Sequence, residues 1–268
     1  MFMAQLSLST ADSWRYNHSL IVANAIKVAY RSAKYVIISG MTTKRPSLNE
    51  FARHLREIPL FTGLTESDLQ DLAQLSRWRE YDAGEVIVLE GEAQPGLYFL
   101  EYGWLKVVKT SPSGREQILR FLEPRETFNE IGVFTDRPNP ATAIALEPAG
   151  IWLIPQQALL RLLQKKPGFA QHILAKMAER MLYLVSLVSD LSLRPVTGRL
   201  ARLLLEDAVD DVLERPRWYT QAELAARLGT VPDVVQRALR SLENDGFIVV
   251  DRHQIRLLDR QALAEIAL

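Results

Sequence analysis

Cysteine is missing altogether from the 268 residues. That one absence removes disulfides, thiolate zinc sites, iron–sulfur clusters and cysteine nucleophiles together. Histidine is scarce: His18, His54, His172 and His253 lie far apart, so no metal-ligating cluster can be drawn from close spacing. Net charge is also absent, with 32 Lys plus Arg against 32 Asp plus Glu, and charge alone therefore names no partner. Nor is there a long unbroken apolar run. The most apolar N-terminal stretch, Leu20 to Ile38, is interrupted by Lys27, Arg31 and Lys34, which suits neither a membrane span nor a signal-peptide core. What remains is the composition of a soluble globular protein, 48% hydrophobic and 24% charged, expected in the cytoplasm and away from membranes. Its length exceeds the usual single domain, so two domains and an appendage are expected.

Residues 1–46 stand apart as an expected poorly ordered extension. Lys27, Arg31 and Lys34 fall at i, i+4 and i+7, which would suit a basic amphipathic helix. The plainer expectation is a loose tail, or translation that begins at Met41. Order begins at Ser47, where Ser47-Leu-Asn-Glu50 has the spacing of a capping box, and Thr65-Glu-Ser-Asp68 repeats the device. Two helices should therefore precede the next region.

From Arg77 to Ile154 the apolar period changes to two. Runs at Val86 to Leu89, Leu97 to Leu100, Leu105 to Val108, Ile118 to Leu122 and Ile151 to Ile154 are separated by turn residues at short intervals. Regular short strands of this kind predict an antiparallel jelly roll over residues 47–166, of a size to hold one small ligand. The roll is also an enzyme scaffold, but a metal-centred active site needs histidines that the strand region lacks, and no activated nucleophile or paired acids appear. The chain is not expected to be an enzyme.

Residues 167–194 read as one long helix ended by Pro195. Leu174, Met177, Met181, Leu184, Val188 and Leu191 recur at alternating spacings of three and four, a heptad stripe that predicts pairing with a second copy. Leu182, Tyr183, Val185 and Leu187 make other faces apolar, so burial on two sides is expected, by a partner helix and by the chain's own domain.

The last segment, residues 195–268, begins with a helix predicted over Val196 to Val212. Thr220-Gln-Ala-Glu223 is a third capping box, opening a short helix that stops at Gly229. Thr230-Val-Pro-Asp233 opens a second, with Val231, Val235, Leu239 and Leu242 on its buried side. Pro232, Asp233, Gln236, Arg237 and Arg240 share the other side, and long amide and guanidinium groups there suit base edges in a major groove. Two helices joined by a tight glycine turn predict a helix-turn-helix, with Phe247 to Val250 and Ile255 to Leu258 as its wing. From Arg194 to Leu268 there are 11 Arg against 12 Asp and Glu, so the inference rests on where the cations stand, not on their number.

Over residues 55 to 258 the chain resembles the Crp/Fnr family of bacterial transcription regulators. The resemblance is carried by LREIPLFTGLTESDL, AGEVIVLEGEAQPGLYFLEYGWLKV, FNEIGVF, VTGRLARLLL and YTQAELAARLGTVPDVVQRALRSLENDGFI. It implies an α+β architecture: a cyclic-nucleotide-binding-like jelly-roll sensor, a dimerisation helix and a winged helix-turn-helix. A homodimer, a small effector in the roll, a palindromic operator with half-sites one helical turn (about 34 Å) apart, and RNA polymerase as a partner are implied with it. Thr220, Gln221, Pro232, Asp233, Gln236, Arg237 and Arg240 are the implied DNA contacts.

Against the cyclic-AMP binders of that family the implied effector pocket departs at almost every position. Glu130 is kept, but glycine becomes Asn129, the phosphate-gripping Arg-Ser pair becomes Pro140-Ala141, and the Thr-Ser pair of the long helix becomes Leu184-Val185. A phosphate without its arginine has lost its main charge partner. Cyclic AMP is accordingly not expected as cofactor, and the absent cysteines exclude the iron–sulfur cluster of Fnr-type sensors. In the helix-turn-helix, the family's first arginine becomes Pro232, while Asp233 and Arg237 remain. Two rivals stand beside a DNA-binding regulator with another effector or none. One is a haem-based gas sensor using His54 or His172, and the other is a regulatory module whose winged helix contacts protein.

Overall fold

The computed structural model describes residues 44–93, 96–135 and 137–268. The expected extension lies outside them up to residue 43. At Ser47 the hydroxyl accepts from the Glu50 amide at 3.3 Å, while the Glu50 carboxylate accepts from the Ser47 amide at 2.8 Å. This closed capping box starts α1 (Leu48–Arg56), which buries Phe51, Ala52 and Leu55. Thr65 and Asp68 close the same box ahead of α2 (Glu66–Leu75).

Eight strands follow: β1 (Arg77–Tyr81), β2 (Val86–Val88), β3 (Gly96–Tyr102), β4 (Leu105–Thr110), β5 (Glu116–Leu122), β6 (Thr127–Phe128), β7 (Thr142–Ala145) and β8 (Ala149–Pro155). They form two antiparallel four-stranded sheets, ordered β1-β8-β3-β6 and β2-β7-β4-β5, the jelly roll that the turn spacing predicts. A short helix, α3 (Glu130–Phe134), interrupts the strands after β6.

Alternation along the strands sorts two cores. Tyr98, Leu100 and Ile151 point between the sheets, joining Leu105, Leu122 and Phe128. Leu97, Phe99, Trp152 and Ile154 point the other way, into a layer built by α1, α2, α4 (Gln156–Lys165) and the start of the long helix. The first sheet is therefore covered on both faces, which is why β3 is buried along its whole length and reads as one apolar run. Close packing reaches the backbone at Gly150, where an added Cβ would stand 2.3 Å from Trp78 and Tyr102 atoms.

Helix α5 (Pro167–Leu193) leaves the roll, and α6 (Val196–Asp207) begins the C-terminal domain after Pro195. The helix expected to reach Val212 stops five residues earlier. Asp210 and Asp211 adopt left-handed backbone, with φ of 48° and 63°, and reverse the chain into β9 (Val212–Glu214). That strand pairs with β11 (Gln254–Leu257), itself paired with β10 (Ile248–Val250), so the wing carries a third strand. Helices α7 (Gln221–Leu228), α8 (Pro232–Asn244) and α9 (Arg260–Ile266) complete the domain around Leu200, Leu204, Leu224, Val235, Leu239 and Leu263.

Trp152 is fully buried and stacks on Phe51 at 4.4 Å between ring centroids, with Trp78 at 5.0 Å. Trp152→Ala should cost about 3–5 kcal/mol in urea unfolding, the range for deleting a large buried ring. A loss below about 1 kcal/mol would show that the helical layer does not depend on this contact.

Candidate nucleic-acid interface and sensor pocket

Thr220 caps α7, its hydroxyl accepting from the Glu223 amide at 3.2 Å. Gly229 ends that helix with φ of 66°, a conformation that costs a glycine little. Helix α8 then buries Val235, Ala238, Leu239 and Leu242 and turns Pro232, Asp233, Arg237 and Arg240 to solvent, with Gln236 half-buried. No carboxylate lies within ion-pair distance of Arg237 or Arg240 among the described residues, so both guanidinium groups remain available. Two expectations fail locally. Val231, not Thr230, is the residue that precedes the first turn, and Val231 is exposed because a side chain outside the helix does not share its buried stripe.

A second group of basic side chains lies beside the start of α7. Arg215 and Arg217 precede α7, Arg252 and His253 lie at the tip of the wing, and together with Tyr219 and Thr220 they line a cavity of about 380 Å³. The Arg215 amide donates to the His253 carbonyl at 2.6 Å, which ties the two loops. Sequence reasoning missed this group because its members are close only after the β9–β11 pairing forms. Gln221 is half-buried and Thr220 exposed at its rim.

The other side of α7 rests on the roll. Lys106 of β4 is buried and donates to Glu116 at 2.8 Å and to Glu223 of α7 at 2.9 Å. Burial alone would lower its pKa; the hydrogen bonds to the two carboxylates outweigh burial and raise it. Glu223 thus leaves its capping box half closed. Arg227 of α7 pairs with Asp207, donates to the Tyr219 hydroxyl at 3.2 Å and lies 5.5 Å over the Phe121 ring of β5. Burial opposes its charge, and Asp207 reverses that and holds its pKa well above the ordinary arginine value.

In the roll, Asn129 takes left-handed backbone with φ of 70° and donates from its amide to the Gly96 carbonyl at 2.8 Å. Glu130 is half-buried at the start of α3. Pro140 is exposed and Ala141 buried beside it. The neighbouring cations are committed elsewhere. Lys109 donates to the Pro140 carbonyl at 3.0 Å and to Glu90 at 2.5 Å, Arg120 to the Thr127 carbonyl at 3.2 Å with Glu126 at 3.7 Å, and Arg115 to the Gly229 carbonyl.

Helix α5 meets the roll through Tyr183, named above for an apolar face, and Arg180, which the sequence did not single out. The register of β4 against β5 skips Leu119, and the carbonyl of that bulged residue accepts from the Tyr183 hydroxyl at 2.7 Å. Arg180 lies one turn earlier, its guanidinium 5.3 Å over the Tyr183 ring. Burial, then the nearby charge of Arg120, lowers the Arg180 pKa, while Glu130 acts against the shift. Leu184 and Val185, expected at the pocket, are exposed in the single chain.

The outer stripe of α5 is bare. Leu174, Met181 and Val188 are 68%, 67% and 62% exposed, and Leu184 is exposed beside them. Met177 and Leu191 are turned instead toward the chain's own domains, Met177 onto the helical layer and Leu191 toward Gly229. Of the other apolar faces, Leu182 and Val185 are exposed, Leu187 is half-buried, and Tyr183 reaches the roll through its hydroxyl. No described helix is long and apolar enough to cross a membrane. The two histidines considered for haem are both engaged: His54 lies 2.9 Å from Glu101, which also pairs with Arg125 at 3.2 Å, and His172 lies 2.9 Å from the Gly168 carbonyl.

Residues 78–166 match the cyclic nucleotide-binding domain and residues 198–266 match the Crp-like helix-turn-helix domain. A CRP-like cAMP-activated global transcriptional regulator of Mycobacterium tuberculosis is 25% identical over 214 residues, covering 78% of this chain and 96% of that protein. The cyclic AMP receptor protein of Thermus thermophilus is 26% identical over 209 residues, again 78% and 96%. The solved structure of FixK2 from Bradyrhizobium japonicum shares the fold, with a TM-score of 0.64 and 23% identity over 72% of this chain and 98% of that one.

Proposed function

This chain belongs to the Crp/Fnr family of DNA-binding transcription regulators, and we propose that it reads a palindromic operator as a homodimer. We further propose that its effector is not a cyclic nucleotide, or that it needs none. The observation that carries the DNA contacts is the face of α8, where Asp233, Gln236, Arg237 and Arg240 stand together while the opposite side is packed. An arginine on such a face can donate two parallel hydrogen bonds to one guanine edge, and an aspartate can accept from a cytosine amine. Thr220, Gln221 and the Arg215, Arg217, Arg252 and His253 group would meet phosphates, which position the domain without reading sequence. Pro232, with no donor, contributes shape only. The bare stripe of Leu174, Met181, Leu184 and Val188 supports the homodimer, and a bound dimer upstream of a promoter would meet RNA polymerase.

For the effector, the two relatives named above are cyclic-AMP proteins, and the corresponding pocket here lacks what a phosphate needs. A phosphate charge buried without a partner is strongly disfavoured. Pro140 and Ala141 offer no side-chain donor, and Lys109, Arg115 and Arg120 already serve Glu90, Gly229 and Glu126. Arg180 is a further cation on α5, and the charge of Glu130 acts to favour its charged form.

Arg237→Ala should weaken binding to the preferred operator by roughly 1–3 kcal/mol and leave random DNA nearly unchanged, as read by fluorescence anisotropy. Arg217→Ala should weaken both DNAs alike and reduce the salt slope by about 1. An equal loss on both DNAs for Arg237→Ala would make it a phosphate contact instead. In calorimetry, cyclic AMP and cyclic GMP at millimolar concentration should give no binding heat and no change in operator affinity. A micromolar Kd abolished by Glu130→Ala or Arg180→Ala would overturn that part of the proposal.

A further inference from the structure

We propose that the cavity between the start of α7 and the tip of the wing is a binding site for a free oligophosphate, an anion of two or three linked phosphates, and that its occupation excludes DNA. The site stands on its own geometry; the exclusion rests on the DNA-binding reading above. The lining carries Arg215, Arg217, Arg252 and His253 and not one carboxylate. This is unusual for the segment around it. From Arg194 to Leu268 acids outnumber arginines by 12 to 11, and Arg202, Arg227, Arg256 and Arg260 each have an acidic partner, namely Glu206, Asp207, Asp251 and Asp211. Arg215, Arg217 and Arg252 have none within ion-pair distance among the described residues. Even Asp251, next in sequence to Arg252, serves Arg256 at 3.6 Å and Gln254 at 3.3 Å. Like charges gathered round one concavity repel each other, and a bound anion removes that repulsion.

The N-terminus of α7 adds to the same field. Amides of a helix's first turn lack intrahelical partners, and the helix dipole places positive charge there, so this end favours an anion. The acidic residue of that turn, Glu223, is drawn off to Lys106 of the roll at 2.9 Å. Thr220, at the rim, is exposed.

The walls are fixed by backbone, which leaves the side chains to the ligand. The Arg215 amide donates to the His253 carbonyl at 2.6 Å and the Tyr219 amide to the Pro216 carbonyl at 2.8 Å, while Glu214 and Gln254 pair directly across β9 and β11. Arg215 alone spends part of its guanidinium internally, on the Tyr219 carbonyl at 3.5 Å. A frame held in this way is already in place before binding, which lowers the ordering cost of association. Shape separates a small ligand from a duplex. A DNA backbone is convex and a flat ridge of cations would serve it, whereas these groups surround about 380 Å³, within the range of roughly 300–1,000 Å³ found for small-molecule pockets. Guanidinium forks match phosphate oxygens in pairs, and three of them around one space can hold several phosphates of one molecule. Groups so occupied cannot hold the duplex backbone, so the two ligands oppose each other.

The test titrates inorganic tripolyphosphate into the intact protein at constant ionic strength. Calorimetry should show one saturable site per chain, weakened roughly tenfold or more by Arg217→Gln and by Arg252→Gln. Arg240→Gln, on α8, should leave it unchanged. Heat that does not saturate, or an equal loss in Arg240→Gln, would mean an adventitious ion only and overturns the site. In fluorescence anisotropy, tripolyphosphate should release operator and random DNA from the parent beyond the effect of sodium chloride at matched ionic strength, and Arg252→Gln should need roughly tenfold more of it. A saturable site whose filling releases no DNA overturns the exclusion. Tripolyphosphate binding by a parent that binds no DNA removes the DNA reading and keeps the site. Weaker DNA binding in Arg252→Gln, with no tripolyphosphate bound by the parent, would assign these arginines to the duplex alone and overturn the proposal.

Discussion

Strand β5 has to satisfy three neighbours at once, and the rest of the molecule is arranged around how it does so. Its ladder with β4 builds the roll, but the register skips at Leu119. A bulged residue has a carbonyl outside the ladder, and Tyr183 of α5 supplies the missing donor at 2.7 Å. On one side of the bulge Glu116 and Gln117 face the C-terminal domain; on the other, Arg120 turns to Thr127 and Glu126 near the pocket, and Phe121 packs into the C-terminal core. The roll, α5 and the C-terminal domain are thereby joined through seven residues of one strand.

The contact between the domains is mixed in character, which bears on whether it can open. The aromatic cluster of Trp104, Phe121, Trp218 and Tyr219 gives non-directional attraction, but the ends are fixed by Lys106 and Arg115, whose charges must be matched. Removing a buried partner leaves an unpaired charge, so such a contact is held firmly until one partner shifts and is then lost abruptly. Arg227 differs, since its partner Asp207 belongs to the same domain and it stays satisfied whether or not the domains are joined.

Local features of the fold were legible in the sequence wherever their cause is local. Ser47, Thr65 and Thr220 each cap the helix that their spacing predicts, Gly229 takes the left-handed turn between α7 and α8, and the period-two runs become strands of the roll. What escaped depends on pairings across the chain. The stop of α6 is set by the left-handed backbone of Asp210 and Asp211 and the pairing of β9 with β11, and the Arg215 to His253 group exists only once that pairing forms. The bulge at Leu119, which no local signal marks, brings Tyr183 of α5 to the strand with Arg180 over its ring. The destination of Glu223 could not be read at all, because a capping box and an interdomain ion pair need the same residue type.

One consequence is still open to solvent in the single chain: the outer face of α5, where Leu174, Met181, Leu184 and Val188 are bare over two heptads. Fully covering a side chain of this kind is worth about 1.5–3 kcal/mol, so a second copy of the helix would gain strongly from pairing. Light scattering of the intact protein and of Met181→Glu at micromolar concentration tests this directly. The account predicts a dimer for the parent and a folded monomer for the variant; a monomeric parent, or a variant that keeps the dimer mass, would contradict it.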